Sequence, residues 1–137
     1  MTAATFDLSA RMKSPQFIYL YDTGVSLLMA IVLAAWGGSI ADLVGWSAAG
    51  GFLVAVGAFL FPWALVNYAI GSARAPAWPA VVINIAGDGT WAVVSAVLLA
   101  MHWNQFNTVG HVLVIVQALF VVGVFVTKLR GASAFRN

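Results

Sequence analysis

The sequence predicts an all-α membrane protein with four transmembrane helices. Of its 137 residues, 63% are hydrophobic and only 7% are charged, whereas a soluble domain is about one quarter charged. Four apolar runs follow one another with short connections, and each is as long as the roughly 20 residues that a helix needs to cross a bilayer. Membrane strands would instead be shorter and alternate polar with apolar residues. We therefore predict a single transmembrane domain over residues 1–137.

Polar or turn-forming residues mark the ends of the predicted helices. The first helix begins after Ser14 and Pro15, because serine favours the N-cap and proline the first helical position. The four helices are predicted at about residues 16–41, 46–70, 78–103 and 106–127.

Basic residues predict the orientation of the chain. Two precede the first helix, one lies between the second and third, and three follow the fourth: Arg11, Lys13, Arg74, Lys128, Arg130 and Arg136. All six fall on one side of a four-pass arrangement, so the positive-inside rule places both termini in the cytoplasm. Scattered in this way, they form no nucleic-acid-binding stripe. The chain also has no cysteine, which excludes disulfides and thiolate metal sites.

The two halves of the chain show a weak internal similarity. Asp22 aligns with Asp88 when the first helix is shifted by 66 positions, and Gly71 aligns with Gly131 when the second is shifted by 60. Apolar helices share residues easily. A duplication into two parallel two-helix repeats and a chance similarity therefore both stay open.

A polar stripe on the third predicted helix is the strongest candidate site. Asn84, Asp88, Trp91, Ser95 and His102 share one face at about 100° per residue. In lipid, such a face has to point at protein or water. Glycines flank Asp88 and would suggest a turn in a soluble protein. In a membrane we expect the helix to continue, because neighbouring groups satisfy its backbone.

The sequence offers partners for the carboxyl group of Asp88. Asn84, one turn away, can donate an amide hydrogen to it, and Gln117 on the fourth helix lies at similar depth. One interpretation is hydrogen-bonded glue between helices, with Asp88 protonated because no buried cation is available. The other is a site that handles a proton, a ligand or an ion. Both stay open.

A secondary polar cluster is predicted nearer the basic side of the membrane. Asp22 lies about two turns into the first helix, and Asn67 and Tyr68 lie at comparable depth in the second. We interpret these residues as a hydrogen-bond cluster at the inner interface.

Two histidines lie at the opposite ends of their helices from the basic residues. His102 and His111 flank a short turn, and histidines on neighbouring helices can bind haem or a transition metal. Without carboxylates or a recognised spacing, we interpret them as solvated interface residues, with haem as the alternative. No cofactor is predicted.

Small residues recur every four positions on two of the helices. They are Ala30, Ala34 and Gly38 on the first helix and Ala92, Ala96 and Ala100 on the third. Such ridges let helices approach closely, either inside one bundle or between protomers.

Part of the second half resembles a group of bacterial proteins. The segments are Asn84 with Trp91-Ala92-Val93-Val94-Ser95, then Gly110 through Gln117-Ala118, and Leu129-Arg130-Gly131. They are similar to small four-helix chains usually described as uncharacterised integral membrane proteins. The resemblance implies a bacterial inner-membrane setting and attaches no activity or functional residue.

The sequence is compatible with four classes of function. The leading hypothesis is a non-enzymatic membrane protein, embedded in lipid as a homo-oligomer, that binds or passes a small ligand or ion at the Asp88 stripe. The alternative is an accessory or structural subunit of a larger membrane complex. A lipid-acting membrane enzyme comes third, because no nucleophile or substrate pocket can be identified. A haem protein comes fourth, because it rests only on His102 and His111.

Overall fold

The computed structural model describes residues 8–136 and confirms the all-α architecture. The described residues form five α-helices and no strand. They are α1 (Leu8–Met12), α2 (Phe17–Leu43), α3 (Gly50–Ser72), α4 (Trp78–Met101) and α5 (Thr108–Gly131), with 3-10 turns at Ser47–Ala49 and Ala132–Phe135. Helices α2 to α5 are each long and apolar enough to cross a membrane. The chain is a multi-pass, four-helix membrane protein.

The observed helix bounds differ from the predicted ones by one to four residues, except at Trp78, where α4 begins as predicted. Helix α2 continues to Leu43, and the 3-10 turn Ser47–Ala49 delays the start of α3 to Gly50. The end of α5 differs by as much as the start of α3, four residues, because α5 runs through Lys128 to Gly131. This helix is predicted to end at residue 127, before the first charge, but a charge that has partners inside the bundle does not have to end a helix.

Helix α4 is continuous through the Gly-Asp-Gly sequence, as expected. It runs unbroken from Trp78 to Met101. A non-helical backbone conformation occurs instead in α2 at Trp36, where φ is −127° and ψ is 16°. Helix α3 likewise continues through Pro62.

Glycine makes the packing of α2 against α3 unusually close. A Cβ atom on Gly57 would lie 2.6 Å from the Ala34 nitrogen and 3.0 Å from the Ala30 oxygen, and one on Gly50 would lie 3.2 Å from the Cα of Gly38. The small-residue ridge of α2 is therefore used inside the bundle. Helices α3 and α4, α4 and α5, and α5 and α2 are also in contact, so the four helices form a ring in chain order.

Asn107 ties together the two connections at one end of the bundle. Its Nδ2 donates to the Leu43 oxygen at 2.9 Å, and its Oδ1 accepts from the Gly110 nitrogen at 2.9 Å as the N-cap of α5. The backbone nitrogen of Asn107 also donates to the Val44 carbonyl oxygen at 3.0 Å. Gly45, which follows Val44 in the chain, has φ of +85°, a conformation that glycine adopts readily.

The other end of the bundle, which we name the basic end, is closed by an apolar layer. It holds the first residues of α2 and α4, the last residues of α3 and α5, and the exposed side chains of Lys13, Arg74, Arg130 and Arg136. The side chain of Arg11, also predicted here, lies outside what the structure describes. The 3-10 turn Ala132–Phe135 folds beneath the helices, and Phe135 meets the Tyr19 ring edge-on at 5.9 Å. The layer consists of Tyr19, Ile70, Val81, Ile85, Ala132 and Phe135.

Candidate functional site

The buried ammonium of Lys128 is the centre of the site. Among the described residues, four side-chain oxygens lie within hydrogen-bond distance of its Nζ atom. Asp22 Oδ2 is 2.6 Å away, Asp88 Oδ2 2.7 Å, and the Oδ1 atoms of Asn67 and Asn84 2.8 Å each. We name these five residues the Lys128 cluster. Each of α2, α3, α4 and α5 contributes to it, so the cluster joins the four membrane-spanning helices.

The Lys128 cluster is closed to solvent almost completely. Lys128, Asn67 and Asn84 have no exposed surface, and Asp22 and Asp88 keep 7% and 6%. An isolated charge in such a place costs several kcal/mol or more. Here the ammonium lies between the two carboxylates and pairs with both, and two amide oxygens complete the shell.

Helix direction explains how residues at different depths meet. Counted from the basic end, Lys128 is three residues into its helix and Asp88 is ten, a difference of roughly 10 Å in helical rise. Side chains tilt toward the N-terminus of their own helix. Helix α5 ends at the basic end, so Lys128 extends away from it into the membrane. Asp22, Asn84 and Asp88, on helices that begin at that end, tilt back toward the ammonium.

Two further side chains border the cluster. The ring centroid of Tyr19 lies 4.9 Å from Lys128 Nζ, a cation–π contact on the side of the apolar layer. On α2, Ser26 donates to Asp22 Oδ1 at 3.2 Å. The cluster is thus bounded by an aromatic ring toward the basic end and by a hydroxyl one helical turn further into the membrane.

The glycines on either side of Asp88 make room for aromatic rings. A Cβ on Gly87 would collide with the Trp63 indole, and one on Gly89 would lie 3.0 Å from the Phe125 ring. Trp63 also stacks on Phe59, with centroids 5.8 Å apart. These glycines therefore let α3 and α5 bring bulky side chains against the segment that holds Asp88.

The predicted partners of Asp88 have to be corrected. A buried cation is available, because Lys128 supplies it, so the premise that left Asp88 protonated was wrong. Gln117 instead accepts a hydrogen bond from Ser95, with 3.4 Å between Oε1 and Oγ. Asn84 contributes its oxygen to Lys128, and its Nδ2 has no hydrogen-bond partner among the described residues.

The polar stripe that contains Asp88 and the secondary polar cluster that contains Asp22 were predicted as separate features, but they form a single cluster. Asp22 and Asn67 bind the same ammonium as Asn84 and Asp88. Tyr68 is not part of it: successive helix positions differ by about 100°, and its side chain lies outside the bundle, 55% exposed. Trp91 is partly buried one turn beyond Asp88 and is not among the residues that accept hydrogen bonds from the ammonium.

The histidines have partners of their own at the opposite end of the bundle. His102 Nδ1 is 2.9 Å from Gln105 Oε1, and its ring stacks on Trp46 at 4.1 Å. His111 Nε2 is 3.0 Å from the Trp103 carbonyl oxygen. In the part of the chain that the structure describes, no three His, Cys, Asp or Glu side chains are grouped as a metal site.

Lys128 is the residue that the sequence analysis missed, although a signal was present. It was counted with the loop residues because it follows the last apolar run. Two carboxylates within spans call for a cation, and Lys128 is the basic residue that directly adjoins a span. It also shares a helical face with Gln117, eleven positions earlier, the residue that was predicted to face Asp88.

Comparison with protein-family models, with curated proteins and with solved structures finds no match to this chain. The Lys128 cluster is therefore the feature from which a function can be inferred.

Proposed function

We propose that this chain is a membrane protein that binds and passes a small monovalent cation, a proton included, at the Lys128 cluster. The observation that carries the proposal is a buried ammonium shared by two carboxylates inside the span, with Nζ–O distances of 2.6 and 2.7 Å. Intramembrane ionisable residues typically mark ion pathways or proton relays.

The charge balance of the cluster supports this function. Asp22, Asp88 and Lys128, when all are ionised, leave one negative charge unbalanced. A further monovalent cation, or one proton, neutralises the cluster, so loading and release of a single charge is favourable chemistry here. Purely structural glue needs no such excess, because one carboxylate and one lysine already balance.

Ion flux into proteoliposomes tests the proposal. Gradients of H⁺, Na⁺ and K⁺ are imposed one at a time on vesicles that contain the wild type, Asp88→Asn or Asp22→Asn. Each variant keeps one carboxylate with Lys128, a balanced pair, so we expect a folded protein that has lost flux of the cation carried by the wild type. Asp42→Asn is the matched control, since Asp42 is an exposed carboxylate at the other end of α2. Undiminished flux in both cluster variants would refute the proposal.

We further propose that the chain resides in a bacterial inner membrane with the basic end in the cytoplasm. Lys13, Arg74, Arg130 and Arg136 support this orientation, whereas Lys128 no longer counts as a loop charge. The chain has no cysteine, so single cysteines report on topology directly. We expect Lys13→Cys to be protected from a membrane-impermeant maleimide in whole cells and Gln105→Cys to react with it. The reverse pattern would overturn the orientation.

A second candidate is an accessory subunit or a homo-oligomer that acts through its lipid-facing surface. The observation in its favour is that Gly24, Gly38, Gly51 and Gly123 have open space where a Cβ would be, so another helix can approach there. Under this hypothesis, Gly24→Leu with Gly123→Leu disrupts the assembly, and Asp88→Asn leaves it intact. Purification from native membranes as a partner-free monomer would count against it.

A further inference from the structure

We infer that the four oxygens around Lys128 form a binding site for a free monovalent cation of about the size of ammonium, with the lysine as its tethered occupant. We name these oxygens, from Asp22, Asn67, Asn84 and Asp88, the oxygen cage. The inference rests on the proposed function, and it adds the size of the cation and the group that competes with it.

The oxygen cage surrounds a charge as ligands surround an ion. A lysine ammonium has three N–H groups, yet four oxygens lie 2.6–2.8 Å from its nitrogen. The oxygens outnumber the hydrogens, so they are not matched to donors one by one. Two of them are carboxylate and two are amide oxygens, the hard ligands that cations without d-electron preferences take.

The size of the oxygen cage selects among cations. Mg²⁺ requires octahedral ligands at about 2.0–2.1 Å, and Ca²⁺ takes six to eight oxygens at about 2.3–2.6 Å. The cage offers four oxygens at 2.6–2.8 Å, which are fewer and further away. These distances are those of charge-assisted contacts to an ammonium nitrogen.

The occupant and the oxygen cage belong to different parts of the fold. The oxygens come from α2, α3 and α4, whereas the ammonium comes from α5, three residues before that helix ends. A flexible four-carbon chain carries the ammonium. Withdrawal of the lysine therefore leaves the oxygens on their own helices with two carboxylates and no cation, a site that a free ion can fill.

Chemical rescue of Lys128→Ala tests the inference in the full-length chain. Thermal unfolding is followed in detergent with chloride salts of ammonium, methylammonium, K⁺, Na⁺, Ca²⁺ and choline at equal ionic strength. We expect the variant to unfold at a lower temperature than the wild type. Ammonium and methylammonium should raise its midpoint by several degrees and saturate, while choline does not. The wild type, in which the Lys128 ammonium competes for the oxygen cage, should respond to ammonium only at a higher concentration than the variant does.

Two control variants make the result specific. Arg130→Ala removes an exposed basic residue from the same helix and should behave as the wild type. Asp88→Asn with Lys128→Ala removes one carboxylate from the cage and should weaken the ammonium response at least tenfold in concentration.

Several outcomes would overturn the inference. They are equal responses of Lys128→Ala to ammonium and choline, a response to Ca²⁺ alone, and aggregation of both Lys128→Ala and Lys128→Met in every salt. Rescue by ammonium, combined with normal flux in Asp88→Asn and Asp22→Asn, would keep the site and remove the proposed function. Loss of flux in Asp88→Asn and Asp22→Asn without rescue of Lys128→Ala by ammonium would support the proposed function and refute the binding site for a free cation.

Discussion

Asp88 and Asp22 share one lysine: Lys128 Nζ lies 2.7 Å from the first carboxylate and 2.6 Å from the second. The three groups are therefore not equivalent to a simple ion pair. Removal of the lysine leaves two buried carboxylates without a counter-charge, whereas removal of one carboxylate leaves one carboxylate paired with one ammonium.

This asymmetry predicts the stability of charge variants. Lys128→Met should lower the free energy of unfolding by about 3–5 kcal/mol, because it leaves uncompensated buried charges. Asp88→Asn, which keeps a hydrogen-bonding oxygen and the Asp22–Lys128 pair, should cost only about 1 kcal/mol. Unfolding in a mixed-detergent titration, followed by tryptophan fluorescence, measures both.

The double variant provides the internal check. Asp88→Asn added to Lys128→Met removes one of the stranded carboxylates, so it should recover about 1–3 kcal/mol, a coupling typical of contacting charges. Equal stability of Lys128→Met and Asp88→Asn would contradict the shared-cation arrangement.

Gly57 is expected to be intolerant of even one added carbon. Its Cβ would lie 2.6 Å from the Ala34 backbone nitrogen and 2.9 Å from the Leu33 side chain, so Gly57→Ala must push α2 and α3 apart, at about 1–3 kcal/mol. Gly24→Ala, where nothing lies within 4 Å, should be neutral or gain up to about 1 kcal/mol. The same unfolding titration compares them, and equal behaviour of the two alanine variants would argue against the close packing.

Asn107→Ala should loosen the end of the bundle opposite the basic end. The variant loses the N-cap contact to Gly110 and the bond to the Leu43 oxygen, both at 2.9 Å, at a cost of about 1–2 kcal/mol. Asn104→Ala, an exposed residue in the same connection, should change stability by less than about 0.5 kcal/mol. Hydrogen exchange at Val44 to Trp46 should rise in the first variant only; protection there in both would show that Asn107 is dispensable.

Tyr19 is expected to contribute through its ring and not its hydroxyl. The ring contacts both Lys128 and Phe135, whereas the buried hydroxyl has no hydrogen-bond partner among the described residues. Tyr19→Phe should therefore keep wild-type stability within about 1 kcal/mol, and Tyr19→Leu should lose about 1–2 kcal/mol through its aromatic contacts. A Tyr19→Phe variant as unstable as Tyr19→Leu would assign the hydroxyl a role.

The helical architecture could be predicted from the sequence because few backbone structures are stable in lipid. A chain with 7% charged residues and long apolar runs can satisfy its backbone in a membrane only as helices or a closed barrel. The observed helix bounds differ from the predicted ones where a side chain finds partners inside the bundle. Lys128 is an example, because its charge is paired there and α5 continues past it.

The candidate site was predictable in part. Asp22, Asn67, Asn84 and Asp88 were identified because polar groups in a span need a reason to be there. Their convergence on one ammonium was not predictable, because a largely apolar helix gives little information about which of its faces points inward. Gln117 was a plausible partner by depth alone, but side-chain direction and rotation about the helix axis brought Lys128 to Asp88 instead.

The position of Lys128 also constrains how the protein is made. It follows Asp22 by 106 residues and Asp88 by 40. At about 5–20 residues per second, the ribosome delivers the first carboxylate to the membrane roughly 5–20 s before its cation. Helices α2, α3 and α4 are therefore made before the lysine that pairs with Asp22 and Asp88 in the folded chain. A chain truncated before α5 keeps both carboxylates and lacks this cation, so we expect it to be less stable than the full-length chain.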